Sequence, residues 1–311
     1  MYTRRKFIEQ SLKISTGLCL FALPPFLSSQ SRSRFHSASY YQTLERRRVK
    51  CELCFRGCVI QDNERGFCKV RENDNGKLYS VVFGNPAAVQ LDPIEKEPMY
   101  HLHPSTNILC IGTAGCNFKC QFCHNWHLSQ ATPEELRHRS KRMTPEEVVN
   151  HAKNLDSGLS FTYNEPTIFW EYMYEISKLG RREGLTTIFH TNGGMRPEPL
   201  KRLLENMMGV TVDLKGFTAD FYRDVSFASM EPVLNTLKLI RSEGKWLEVV
   251  NLIIPTLNDD LNKIKEMCTW IVDNLGPDVP VHFNRFSPAY KMKHLKPTPI
   301  SQLERARNIA T

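Results

Sequence analysis

Asn107-Ile108-Leu109-Cys110-Ile111-Gly112, followed by Thr113-Ala114-Gly115-Cys116-Asn117-Phe118-Lys119-Cys120-Gln121-Phe122-Cys123, decides how the rest of the chain is read. The first six residues are a short apolar run ending in glycine, the pattern of a buried strand. The segment after it sets Cys116, Cys120 and Cys123 in a loop directly after that strand, close enough to wrap three sulfurs around one inorganic cluster. With ten cysteines in 311 residues, chance would produce this spacing about 0.01 times. Zinc competes for the same residues: a structural zinc wants four closed ligands, and His124 or His127 could supply the fourth. A ferredoxin-type centre would likewise want a fourth cysteine. Three thiolates alone leave one iron of a cubane with an open position, where a small molecule can bind the redox centre directly.

Working outward, short apolar runs alternate with amphipathic segments. Strand candidates are 107–112, 159–163, 186–190, 210–214, 247–254 and 279–283. Helices are expected from Thr144, where Thr-Pro-Glu-Glu offers a cap, a first-turn proline and a capping box, and over 167–183, 199–206, 232–243 and 259–274. Six β/α alternations imply an α/β fold with a parallel sheet, because parallel neighbours need crossovers. They could form an open partial barrel or a doubly wound sheet. Either way the functional face is expected at the carboxyl ends of the strands.

The net charge of +8 comes from one end: residues 1–50 hold ten Lys/Arg against two Asp/Glu, leaving the body neutral. A nucleic-acid footprint would put basic clusters on the folded body, so no nucleic-acid partner is expected. Thr3-Arg4-Arg5-Lys6-Phe7-Ile8 with the apolar stretch 14–27 has the layout of a twin-arginine export signal. That stretch is short for a bilayer span and holds Pro24-Pro25, so no stable membrane span is expected. Export after folding is one expectation for localisation; a cytoplasmic location is the other. Residues 1–48 read as leader and linker, 49–105 as a small Cys-rich β module with a turn at Asn73-Asp74-Asn75-Gly76, and 106–311 as the main domain.

The C-x3-C-x2-C spacing with Phe122 before the last cysteine resembles the radical S-adenosylmethionine (SAM) superfamily. Phe161-Thr162-Tyr163-Asn164-Glu165-Pro166-Thr167, Thr191-Asn192-Gly193, Asp213-Leu214-Lys215, Ile254-Pro255-Thr256-Leu257-Asn258-Asp259 and His282-Phe283-Asn284-Arg285-Phe286 extend the likeness. The set is similar to AmmeMemoRadiSam-system radical enzymes and, more distantly, to pyruvate formate-lyase activating enzymes. The resemblance implies a partial (β/α)6 radical-SAM barrel, a 4Fe-4S cluster on Cys116, Cys120 and Cys123, and SAM at the unique iron. Glu165, Thr191, Asn192, Asp213, Lys215 and His282 are the implied cofactor-binding residues. His124, Asn125 and Trp126 are candidates to shield the cluster, while Asn284, Tyr222, Arg223 and Arg285 are substrate candidates by position. Two departures stand out: the family's Gly-Gly-Glu-Pro is Tyr163-Asn164-Glu165-Pro166 here, and the chain stops soon after Ser301, inside the expected last helix.

Cys51, Cys54, Cys58 and Cys68 supply four thiols, enough for tetrahedral zinc or a second iron–sulfur cluster. The combined expectation is an oxidoreductase-like enzyme that cleaves SAM to a 5′-deoxyadenosyl radical and abstracts hydrogen from a small-molecule or protein substrate, fed by a low-potential electron donor. The alternatives are a glycyl-radical enzyme activase and, from another class, a noncatalytic electron carrier or metal-stabilised binding module.

Overall fold

The computed structural model describes residues 35–311, which form one compact unit. The twin-arginine-like leader lies outside the described residues. No helix among the described residues is long and apolar enough to cross a membrane.

The amino-terminal region is built from short antiparallel strands. β1 (His36–Ser37), β2 (Tyr41–Thr43), β3 (Val49–Cys51), β4 (Val59–Ile60), β5 (Arg71–Asp74) and β6 (Lys77–Ser80) make two three-stranded sheets, ordered β1-β6-β5 and β2-β3-β4. β5 and β6 are joined by Asn75-Gly76, with φ of 54° and 80°. Two central residues with positive φ suit a tight hairpin to the strand twist. β1 and β2 correct the expected leader and linker, 1–48, in its described part, 35–48. Their side chains are polar and largely exposed, so the segment carries no apolar pattern, yet its backbone pairs with β6 and β3.

β7 (Ala88–Pro93) then runs antiparallel to β8 (Asn107–Gly112) and edges the main sheet. β9 (Gly158–Phe161), β10 (Thr187–Thr191), β11 (Gly209–Asp213), β12 (Trp246–Ile253) and β13 (Val281–Arg285) follow β8 in parallel, in sequence order. The helices are α1 (Trp126–Ser129), α2 (Pro145–Asn154), α3 (Trp170–Arg182), α4 (Pro197–Leu204), α5 (Met230–Ser242), α6 (Leu261–Leu275) and α7 (Ile300–Ala310). α2 starts as its sequence dictates: the Thr144 hydroxyl accepts from the Glu147 N–H while the Glu147 carboxylate accepts from the Thr144 N–H. α7 packs on β13 and α6.

Strand alternation divides the core. Leu109, Ile111, Phe189, Val210 and Val212 join the main apolar cluster with helical residues such as Val148, Ile176 and Leu237. Ile108, Cys110 and Ile188 join a second cluster with Ile94 and Met99, brought in by the 94–106 segment. One cavity is bordered both by the loop after β8 and by Asn284 of β13, so the open sheet curls around it as a partial barrel. The amino-terminal sheets dock at this rim. Gly115 (φ 89°) lies where an added Cβ would meet the Cys68 carbonyl at 2.3 Å, so only glycine permits the contact.

Candidate active site

The loop 115–123 is held by backbone hydrogen bonds before any ligand is considered. Gly115 N–H donates to the Leu128 carbonyl, Lys119 N–H to that of Ser226 and Gln121 N–H to that of Val225, at 3.0, 3.1 and 3.0 Å. Val225 ends a single π-helical turn, Phe221–Val225, whose Tyr222 is fully buried behind the loop. Cys116, Cys120 and Cys123 are free thiols and border one cavity of ≈ 280 Å³. Burial pushes all three thiols up, Cys120 to about 11, with Lys215 pulling Cys120 and Cys123 back down. Three buried soft donors beside a cation suit iron, whose charge replaces the lost hydration of the thiolates. The Phe118 N–H donates to Cys116 Sγ at 3.3 Å, and Ser129 Oγ lies 3.2 Å from Cys123 Sγ. Such contacts tune a cluster's potential.

The same cavity is lined by Glu165, Thr191, Asn192, Asp213, Lys215 and Asn284, contributed by β9 through β13 and the loops after them. Glu165 is 1% exposed. Its Oε1 accepts from the Thr167 N–H, Thr167 Oγ1 and Thr191 Oγ1 at 3.0, 2.5 and 2.7 Å; among the described residues its Oε2 accepts only from the Asn192 N–H at 2.7 Å. Burial pushes this carboxyl up and those donors oppose the shift. Oε2 keeps acceptor capacity for a cavity ligand. Glu165 therefore caps the 3-10 turn Pro166–Phe169 and faces the cavity at once.

Thr191 and Asn192 do their bonding within the protein. Thr191 orients Glu165 and accepts from the Gly193 N–H. Asn192 Nδ2 reaches Asn117 Oδ1 at 2.8 Å and Cys116 Sγ at 3.8 Å, tying the end of β10 to the cysteine loop. Asp213 bridges two cations: its Oδ2 accepts from Lys215 Nζ at 2.7 Å, and its Oδ1 lies 2.9 Å from His190 Nε2. Burial opposes both charges, but their mutual attraction holds the Asp213 carboxyl well below its usual range and Lys215 above it. Lys215 is held beside Cys120 with protons left to donate.

His282 corrects its assignment to the cofactor cavity. Its Nε2 lies 2.6 Å from Glu248 Oε2, in a group with His101, and it borders a separate depression with Tyr100 and Arg307. It shares a face with Asn284 but sits at the start of β13, about 7 Å along the strand from it. Tyr222 Oη accepts from the Lys215 backbone, Arg223 pairs with Asp220 and Asp224 on the surface, and Arg285 donates to the Thr298 carbonyl; none lines the cavity. His124 and Asn125 line it, while the exposed Trp126 stacks on Tyr290 at 5.4 Å.

Several cavity residues have no role assigned from the sequence, although Tyr163 and Asn164 stand out as a departure from Gly-Gly. His190 alternates with buried Phe189 and Thr191 on β10, a polar residue in an apolar run that signals an inward face. Tyr163 takes φ 68°, a conformation glycine adopts freely, and donates its hydroxyl to Asp92 at 2.8 Å. Asn164 Nδ2 donates to the Gly115 carbonyl at 2.9 Å, while its Oδ1 accepts from the Thr113 N–H. The departure from Gly-Gly thus puts a brace on the cysteine loop.

Cys51, Cys54, Cys58 and Cys68 border one small void with Arg56, Arg71 and Asn117. Burial raises Cys54 to about 12 and Cys68 to about 11. Asn117 adjoins both cysteine sets: it lines this void, and its Oδ1 lies 3.9 Å from Cys116 Sγ.

Comparison with known proteins agrees with this geometry. The profile described as the radical SAM superfamily matches residues 110–271. A protein of Methanocaldococcus jannaschii described as uncharacterized is 44% identical over 274 residues, covering 88% of this chain and 81% of its own. A pyruvate formate-lyase-activating enzyme of Clostridium pasteurianum is 25% identical over 52% of this chain and 67% of its own. Among solved structures, a domain of pyruvate-formate lyase-activating enzyme from Bacteroides vulgatus is similar with a TM-score of 0.42 and 17% identity, over 49% of this chain and 92% of that one. With its profile covering more than half of the sequence and its three thiols gathered at the strand ends, the chain belongs to the radical SAM superfamily and is an enzyme of that class.

Proposed function

We propose that Cys116, Cys120 and Cys123 hold a 4Fe-4S cluster and that the protein cleaves SAM reductively, directing the resulting radical at a C–H bond of a second substrate. The observation that carries this reading is the sharing of one cavity by the three thiols, Glu165 and Lys215. When bound, the cluster supplies the electron that splits the sulfonium into methionine and a 5′-deoxyadenosyl radical. The chain's own residues supply binding and orientation. Glu165 Oε2 accepts from the ammonium of SAM, held in line by Thr191. Lys215 Nζ donates to its carboxylate, with Asp213 fixing the ammonium group of the lysine. Phe122, Val250 and Leu252 add an apolar portion to the cavity wall and limit water at a centre that must stay strongly reducing.

A low-potential electron donor is the partner this chemistry requires. For Cys51, Cys54, Cys58 and Cys68 the reading is a second metal site, zinc or iron–sulfur, that fastens the amino-terminal sheets beside the first. The twin-arginine-like leader is read as an export signal acting after the cluster is inserted, with a cytoplasmic location as its alternative; fractionation of cells between the two compartments distinguishes them.

The test is anaerobic reconstitution followed by dithionite and SAM. Methionine and 5′-deoxyadenosine should accumulate above a cluster-free control, and their absence would overturn the reading. An activase role is the second reading, favoured by the relative described as a pyruvate formate-lyase-activating enzyme. It requires a glycyl radical to appear in a partner protein, observable by electron paramagnetic resonance.

A further inference from the structure

The cysteine cavity adjoins a larger cleft. A cleft of ≈ 1210 Å³ opens beside it, and Asn125, Thr162, Tyr163 and His190 line both. β7, α1, α2 and the 139–143 segment make its walls. Arg139, Lys141 and Arg142 line it from that segment, all exposed, and no side-chain hydrogen bond or ion pair engages them among the described residues. Arg202 and Arg223, also exposed, are by contrast paired with Glu205 and Asp224. The acids of the cleft are committed too. Glu97 lies 3.7 Å from His190 Nδ1 and accepts from Cys110 Sγ, and Glu147 closes the capping box of α2. Among the described residues, three cations without partners therefore face a cleft whose carboxylates are Glu147, closed in its capping box, and Glu97, paired with His190 though its Oε2 accepts no hydrogen bond.

We propose that this cleft receives the second substrate, and that the substrate is a small molecule bearing phosphate or carboxylate groups held by Arg139, Lys141 and Arg142. The proposal rests on the radical reading above for its purpose, though not for its geometry. Paired guanidinium and ammonium donors match either oxyanion, and arginine binds both bidentately. Anchoring the anion at this wall leaves the rest of the molecule to extend past Tyr163 and His190, the residues at which cleft and cysteine cavity join. His190 sits at that junction between Asp213 and Glu97, which balance its charge, so the cations free to hold an anion are those of the 139–142 wall.

The experiment uses full-length, anaerobically reconstituted protein and calorimetric titration with inorganic pyrophosphate in one arm and citrate in the other, each with and without saturating SAM. The expected result is saturable binding of at least one probe that survives SAM. It should weaken about tenfold in R139Q/K141Q/R142Q, a loss of about one well-made charged contact, and fall with added salt. Iron content and SAM affinity of that variant should match the wild type. Pyrophosphate alone identifies a phosphate site, citrate alone a carboxylate site, and both a general anion site. Absence of binding, equal binding by the variant, or displacement by SAM would overturn the proposal, the last because the probe would then occupy Lys215. Failure of SAM cleavage would remove the radical reading while leaving the titration to judge the cleft.

Discussion

The two cysteine sets differ in what surrounds them. Cys116, Cys120 and Cys123 border ≈ 280 Å³ together with Glu165 and Lys215, whereas Cys51, Cys54, Cys58 and Cys68 border ≈ 20 Å³ with Leu53, Ile60, Ile168 and Arg71. Burial raises thiols in both sets, so both need a cation to become thiolate ligands. Only the first has room and partners for a small zwitterion beside its metal. A thiol count would rank the four-cysteine set above the three; the space in front of the sulfurs reverses that order for chemistry.

The largest expected effect separates the sets directly. Cys120→Ala should reduce methionine formation to the level of cluster-free protein, about 10³-fold or more, and Cys54→Ala should leave the site iron in place. Iron analysis with product chromatography checks both, and loss of the site cluster in Cys54→Ala alone would break the division. Next comes the fastening of the amino-terminal sheets. Arg71 and Glu171 are 2% and 3% exposed and meet at 3.0 Å, and Glu171 also accepts from the Ser39 N–H. Glu171→Gln should cost about 3–5 kcal/mol, since it strands a buried guanidinium; a denaturant titration of the holoprotein reads the loss.

Lys215→Ala should weaken SAM binding by about 1.5–3 kcal/mol, the range for a hydrogen bond to a charged group, with iron retained. Calorimetry on the reconstituted variant checks it, and unchanged affinity would remove Lys215 from the open centre. A further effect, on stability and not on SAM binding, lies at the other end of the barrel. Burial pushes the Glu248 carboxyl up, but His282, Trp246 and the His101 and Tyr100 N–H groups bring it down to about 2 from the usual 4.5. A lowered folded pKa stabilises above 4.5, and that contribution disappears as the pH falls through about 2. Glu248→Gln should flatten the acid limb of stability in that window while barely moving SAM affinity.

Much of the sheet was legible because β8 to β13 are apolar runs separated by amphipathic helices. Helix α2 was legible down to its capping box. β7 was not: Gln90 and Leu91 are exposed, and pairing with β8 rather than burial makes it a strand. β1 and β2 were hidden for the same reason. At the site, the cysteines, Glu165, Asp213 and Lys215 could be read as chemistry in unusual places. His282 could not be placed, because alternation gives the face of a strand but not the height along it. His190 was passed over because a single histidine in a strand reads as core until Asp213 and Glu97 are seen on either side of it.

The central claim is that three cysteines leave one iron to SAM. Mössbauer spectroscopy of protein reconstituted with enriched iron, before and after SAM addition, tests it most directly. A single iron subsite whose isomer shift moves on addition is the result predicted. Iron subsites that all stay unchanged at saturating SAM would show the position filled by the protein and contradict the account.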